Sequence, residues 1–221
     1  SGNLTITGAG EFKINVSTTT EFEDATKETG TENLTYDTIW SFDGQSSPLS
    51  GVNLKDGKIY AAKGQKVVNT DEDKKGNVVS GTFTIENIAA NIAFNVQDGS
   101  HQYFWQFRSD SKTLKKHTQI GNNIAVYGAE VPIVLNDGEN SFLIATVGDK
   151  IYTYLNDELI DVCDVNKELP TSGGFGIRNG GSESSYISNL NVGSNLKYTV
   201  STTVTAEEKV QVNKNFLNKT I

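Results

Sequence analysis

The sequence predicts an all-β protein, a large jelly-roll sandwich of two antiparallel sheets. Three observations carry that reading. The chain has 21 glycines, and turn pairs recur along it: Asp43-Gly44, Asp56-Gly57, Asp98-Gly99, Asp137-Gly138 and Asn156-Asp157. Between the turns lie short alternating or apolar runs rich in Val, Ile, Thr, Phe and Tyr, residues that fit a pleated, half-buried surface. Almost nothing has the period of a helix. About fourteen short strands in one domain favour a jelly roll over an immunoglobulin-like sandwich.

The strands are expected, in order, at 4–7, 12–17, 38–42, 58–62, 80–88, 91–96, 103–108, 124–131, 140–147, 150–155, 158–165, 174–178, 185–192 and 198–204. Asp43-Gly44 closes the third of these and Asp56-Gly57 opens the fourth. Asp98-Gly99 separates 91–96 from 103–108. Asp137-Gly138 precedes 140–147. Asn156-Asp157 joins 150–155 to 158–165 as a two-residue hairpin loop. Two segments carry weak helical signals, 22–29, better read as a charged loop, and 206–212. The core is placed at 36–193, with 1–35 as N-terminal strands or linker packing on it. Residues 194–221 are an extension, a strand or the start of a neighbouring module. No internal repeat is visible.

Composition narrows the function. The chain has 221 residues, enough for a real core. Its mean hydropathy is −0.39, and no run approaches the roughly 18 apolar residues of a membrane span. A net charge of −8 argues against a nucleic-acid backbone as partner, because such binding needs clustered basic residues. The lysines are scattered, and Lys115-Lys116 and Lys74-Lys75 read as solvated turn charges. Cys163 is the only cysteine, so no internal disulfide is expected. It sits in an alternating segment and reads as a buried, inert thiol. No secretory leader is read, methionine is absent, and Ser1-Gly2 reads as a cleavage scar. The chain is therefore expected to be a piece of a larger protein.

One stretch concentrates the unusual residues. His101 to Arg108 reads His-Gln-Tyr-Phe-Trp-Gln-Phe-Arg, followed by Leu114-Lys115-Lys116-His117. Together they hold both histidines, one of two arginines and one of two tryptophans. The other arginine, Arg178, lies in Gly174-Phe175-Gly176-Ile177-Arg178, ahead of Asn179 to Glu183. Arginine grips carboxylates and hydroxyl pairs with a planar fork that lysine lacks. A chain that uses lysine for ordinary charge is expected to keep these two arginines for geometry. Strand alternation puts Phe104, Gln106 and Arg108 on one face and Tyr103, Trp105 and Phe107 on the other. The second, apolar set is the expected core face. Tyr103 is kept as a candidate for either side. Trp40, in another alternating strand, is expected in the core.

These segments resemble the concanavalin A-like sandwich modules appended to bacterial glycoside hydrolases. The resemblance spans 36–193. It opens with Trp40-Ser41-Phe42-Asp43, similar to a "W-x-F-D" strand. Phe104-Trp105-Gln106 and Leu114-Lys115-Lys116-His117 resemble the "M-W-Q … L-R-P-H" segment of sandwich domains in bacterial α-L-rhamnosidases. The run from Val147 to Asp157 resembles the family's "V-x-G-x-x-I-x-x-Y-x-(N/D)-G" hairpin. Gly174 to Glu183, then Ser188-Asn189-Leu190-Asn191-Val192, is similar to its "G-x-G-F-R … E … D-N-V-x-V" ending. Family 66 carbohydrate-binding modules share the layout. Two positions depart: Lys115-Lys116 replaces Arg-Pro, and Ser188 replaces Asp.

The resemblance implies a non-catalytic carbohydrate-binding module of a secreted or surface bacterial protein, holding a terminal sugar. The implied ligand-binding residues are Gln106, Arg108, His117, Arg178, Glu183 and Tyr103. His117 is expected to end a loop after Arg108 and form a pocket wall near Arg178. Arg178 and Glu183 bracket a tight loop, and a simple hairpin salt bridge is the alternative for them. No Glu-x-Asp-x-x-Glu strand of the family 16 glycosidases is present, nor a Ser-His-Asp order or zinc pattern. Structural Ca²⁺ is a further expectation from the fold class, with Asp71-Glu72-Asp73 and Asp43 as candidate donors and a solvated acidic turn as the other reading. The alternative function is an adhesin or structural module with a protein partner. A glycosidase with unrecognised carboxylates comes third.

Overall fold

The computed structural model describes residues 13–21, 31–61 and 63–205, with side chains over 34–61 and 63–197. The strands are β1 (Lys13–Glu21), β2 (Thr31–Ser41), β3 (Asn53–Lys55), β4 (Lys58–Ala61), β5 (Lys66–Asn69), β6 (Val78–Asn87), β7 (Ala89–Asp98) and β8 (His101–Arg108). They continue with β9 (Thr113–Ile120), β10 (Asn123–Val126), β11 (Val131–Pro132), β12 (Glu139–Val147), β13 (Lys150–Leu155), β14 (Glu158–Asp164), β15 (Gly174–Arg178) and β16 (Ser184–Thr205). Among the described residues the only helical element is a single 3₁₀ turn, Glu72–Lys74. No helix there is long and apolar enough to cross a membrane.

The chain divides into two compact units, Ser1–Thr35 with Lys197–Ile221, and Tyr36–Leu196. In the first, β1 runs antiparallel to the far part of β16, from Lys13 opposite Thr205 to Glu21 opposite Lys197. In the second, one sheet has the order β14-β13-β12-β6-β16-β4-β3. The other has the order β10-β9-β8-β7-β15-β5, with β11 added beside β9. Every pairing described is antiparallel. The all-β sandwich expected from the sequence is the fold observed.

Core side chains come from both sheets. Tyr103, Trp105 and Phe107 of β8 meet Phe83 of β6, Phe142 of β12 and Ile151 of β13 in one buried cluster. Trp105 is fully buried and packs edge-on against Phe94 and Tyr103. Its indole Nε1 donates to Thr153 Oγ1 on the opposite sheet at 2.8 Å. Trp40 is half-buried and stacks on Phe175, with ring centroids 5.4 Å apart. The β13–β14 hairpin turns on Asn156 and Asp157, both at positive φ of 50° and 65°. Asn and Asp tolerate that region better than other side-chain residues.

Several expectations are corrected. His117 does not end a loop. The run 113–120 is strand β9, paired along its whole length with β8. Lys116 is not a solvated turn charge. Its ammonium is buried between the sheets and donates to Asp161 Oδ2 on β14 at 2.7 Å. The expected strand at 124–131 is two short ones, β10 and β11. The expected strands at 185–192 and 198–204 are one, β16. Strands β3 and β5 were not expected. The expected strand at 4–7 and the weak helical segments at 22–29 and 206–212 lie outside the described residues.

Candidate functional site

Four strands of the β10-to-β5 sheet place the candidate residues on its outward face. Period two along β8 turns Gln102, Phe104, Gln106 and Arg108 away from the core that holds Tyr103, Trp105 and Phe107. The register then builds rows across the sheet. Phe104 faces His117 on β9 and Ala93 on β7. Gln106 faces Lys115 on β9 and Asn91 on β7. On β15, Gly176 pairs with Ala93 and with Val68 of β5, while Arg178 pairs with Lys66. Gly176 is required here. A Cβ at that position would run into the backbone carbonyl of Val67, so only glycine lets β5 close against β15.

The centre of this face is a layered stack. The rings of Phe104 and His117 lie parallel, 4.6 Å apart with 5° between their planes. The guanidinium of Arg178 lies over the Phe104 ring at 4.6 Å. Phe104 is 1% exposed. Its ring is covered by the His117 ring and the Arg178 guanidinium. Among the described residues Arg178 has no carboxylate partner. The hairpin salt bridge considered for Arg178 and Glu183 does not form.

Glu183 is engaged otherwise. Its Oε1 accepts from Gln106 Nε2 at 2.7 Å. Its Oε2 accepts from the Gly180 backbone N–H at 2.7 Å and from Asn91 Nδ2 at 3.1 Å. Asn91 Nδ2 is shared with Asn179 Oδ1 at 3.0 Å, and Asn179 Nδ2 donates to the Ala61 carbonyl at 2.8 Å. Gln106 Oε1 in turn accepts from Arg108 at 2.9 Å. Arg108 forks onto Asp110 at 3.0 and 2.6 Å. That pairing holds the Arg108 guanidinium above its ordinary pKa and the Asp110 carboxyl below its own. A single chain thus runs Asp110–Arg108–Gln106–Glu183–Asn91–Asn179 across strands β8 and β7, the turn after β8 and the loop after β15. It fixes these side chains relative to one another.

The same face holds unmet hydrogen-bonding capacity. Asn91 Oδ1, Gln102 Oε1 and His117 Nδ1 are buried without a partner. The donors of Asn91 and Gln102 are already committed to oxygens, so turning either amide over would break bonds rather than make them. An unmade buried hydrogen bond costs about 1–3 kcal/mol. Sequence reasoning missed Asn91, Asn179 and Lys66. Asn91 had a usable signal, since the alternation of 91–96 puts it out of phase with Ile92 and Phe94. Tyr103, counted among the candidates, is corrected. It is fully buried on the core face, and its hydroxyl accepts from the Asn166 backbone N–H at 2.7 Å. Burial raises its pKa to about 12.

Burial, reinforced by Lys115 and Arg178, lowers the His117 pKa to about 4. In the unfolded chain the imidazole protonates near pH 6.5. Between those values the unfolded state binds more protons, so stability falls as pH drops from about 6.5 to about 4 and this contribution is flat below. The expected loss is on the order of 1–3 kcal/mol. Urea denaturation at pH 7 and pH 4.5 should show it in the wild type and show less in His117→Phe, which keeps the stack. An equal drop in both would assign the titration to another group.

Outside this face the chemistry is sparse. Cys163 is half-buried and packs on the core, and burial pushes its thiol up to about 12, so it stays protonated. Asp71 accepts from Asn69 and Lys74, Glu72 pairs with Lys75, and Asp43 accepts from the Gln45 and Ser46 backbone. Among the described residues no three of His, Cys, Asp and Glu gather to hold a metal ion. A separate cavity of about 390 Å³ lies among Ile85, Ser109, Lys112, Ile133, Leu135 and Asn140.

No family model matches the sequence, and no curated protein does. Solved structures do match. A protein of unknown function with a galectin-like fold from Bacillus subtilis aligns over 75% of this chain and 89% of its own, at 9% identity and TM-score 0.50. Carbohydrate-binding module CBM66 from Bacillus subtilis aligns over 63% and 81%, at 15% identity and TM-score 0.48. A tetrameric galectin from the ball sponge Cinachyrella sp. aligns over 53% and 91%, at 13% identity and TM-score 0.41. The sandwich built around Trp105 is therefore of the galectin-like, concanavalin A-type fold.

Proposed function

We propose that this chain is a non-catalytic carbohydrate-binding module of a secreted or surface bacterial protein, and that it holds a terminal sugar on the outward face of the β10-to-β5 sheet. The observation that carries the reading is Arg178. It is a fork of donors with no carboxylate partner among the described residues, laid on Phe104 beside the stacked His117. Gln106 and Arg108 flank it, tied by Glu183 into a fixed network. Sugar recognition needs such pre-set planar groups aimed at adjacent hydroxyls. Glu183 spends its oxygens on Gln106, Asn91 and Gly180, so its main part is to position Gln106. Tyr103 has no part in this face.

The second reading, a module with a protein partner, draws on the edge strand β10. Ile124 and Val126 stand 42% and 55% exposed beside the row of Gln119 and His117. A glycan-array screen of the wild type beside Arg178→Ala separates the two. Binding to one terminal sugar class, reduced at least tenfold in the variant at unchanged melting temperature, is the expected result. Absence of glycan binding, with and without Ca²⁺, would move the assignment to the protein-binding module.

A further inference from the structure

We propose that Lys66 and Arg178 together seat the acid group, carboxylate or sulfate, of an anionic saccharide. The inference rests on the saccharide-binding reading and names its ligand class. Register sets the two residues directly opposite each other on β5 and β15. Like charges in that position repel and destabilise a strand pair. Neither has a carboxylate partner among the described residues. The Lys66 ammonium donates to the Gly99 carbonyl and, at 2.6 Å, to Gln119 Oε1, both neutral oxygens. Arg178 rests on an aromatic ring.

The other cations of the face are already matched. Arg108 pairs with Asp110, and Lys115 with Glu130 at 3.3 Å. The nearby carboxylates are spent as well. Glu183 accepts from Gln106, Asn91 and Gly180. Asp98, whose charge acts on Lys66, is held by Ser100 and His101. Two unmatched, adjacent cations in a chain of net charge −8 therefore stand out. Partial desolvation of the ammonium, and next the charge of Arg178, press the Lys66 pKa below its ordinary value, although the side chain as a whole is exposed. An acid group lying between them would relieve that repulsion. The Arg178 fork suits its two oxygens, and Lys66 adds a point charge. Gln119, which accepts from Lys66, is itself held by Gln102 Nε2 at 3.1 Å, which fixes the Lys66 side chain.

The test is a set of matched oligosaccharides, ending in glucuronate, in a 6-sulfated hexose and in the neutral parent hexose, titrated calorimetrically into the full chain. Wild type and Lys66→Gln are compared. Lys66 is exposed, and glutamine keeps a donor for Gly99, so the variant should melt like the wild type. The expected result is that one or both acidic ligands bind roughly tenfold or more tighter than the neutral one, and that Lys66→Gln removes most of that gap. The glucuronate and sulfate arms identify which acid is read. Equal binding of acidic and neutral ligands, or an acid preference that survives Lys66→Gln, overturns the inference and leaves saccharide binding standing. No binding of any of the three by the wild type, together with a blank glycan array, overturns both.

Discussion

Replacing Asp161 with alanine should destabilise the sandwich by about 3–5 kcal/mol, lowering the melting temperature by roughly 10 °C. Lys116 and Asp161 are 4% and 11% exposed in their side chains and span the two sheets from β9 to β14. Desolvating the pair costs nearly what their attraction returns, so the intact pair adds little net stability. Removing one partner is different, because it strands a buried ammonium. The double variant Lys116→Met with Asp161→Leu should recover most of the loss, since apolar residues of similar volume need no counter-charge. Chemical denaturation of both singles and the double closes the cycle. A loss under about 1 kcal/mol in Asp161→Ala would show that water reaches Lys116.

Trp105→Ala should cost about 3–5 kcal/mol or more. Trp105 is the largest fully buried side chain, and its loss opens a void between Phe94, Tyr103 and the facing sheet. It also leaves Thr153 Oγ1, fully buried, without its donor. The milder Trp105→Phe keeps an aromatic ring and should lose stability while its glycan binding, measured well below its melting point, matches the wild type. A Trp105→Phe variant that melts normally but no longer binds would make Trp105 a ligand platform and contradict the face assignment.

These two positions show what the sequence could and could not reveal. The facing of Trp105 follows from period two alone, since the apolar Tyr103-x-Trp105-x-Phe107 set has only one place to go. Gln106 and Arg108 on the outward face follow from the same rule. Strand β9 was hidden because Leu114-Lys115-Lys116-His117 puts lysine at an inward position, and its counter-charge lies 45 residues further on. Local pattern carries no trace of such a partner. The same holds for Glu183. Its distance from Arg178 suggested a hairpin ion pair, but backbone geometry delivers its carboxylate to Gly180, Gln106 and Asn91 instead. Strands β3 and β5, three and four residues long, are too short for a periodic signal. Lys66 was lost with β5, and with it the charge placed opposite Arg178. Of the two arginines singled out in the sequence, Arg108 joins the Asp110–Gln106 network and Arg178 lies on the Phe104 ring, partners that the sequence did not name.

The central claim is that saccharide binds the outward face of the β10-to-β5 sheet. The most direct test is an amide NMR titration of the isotopically labelled chain with the strongest array ligand. Saturable shifts centred on Gln102, Phe104, Gln106, His117 and Arg178 are the predicted result. Shifts centred instead on Ser109, Lys112 and Ile133 to Asn140, around the separate cavity, would contradict it.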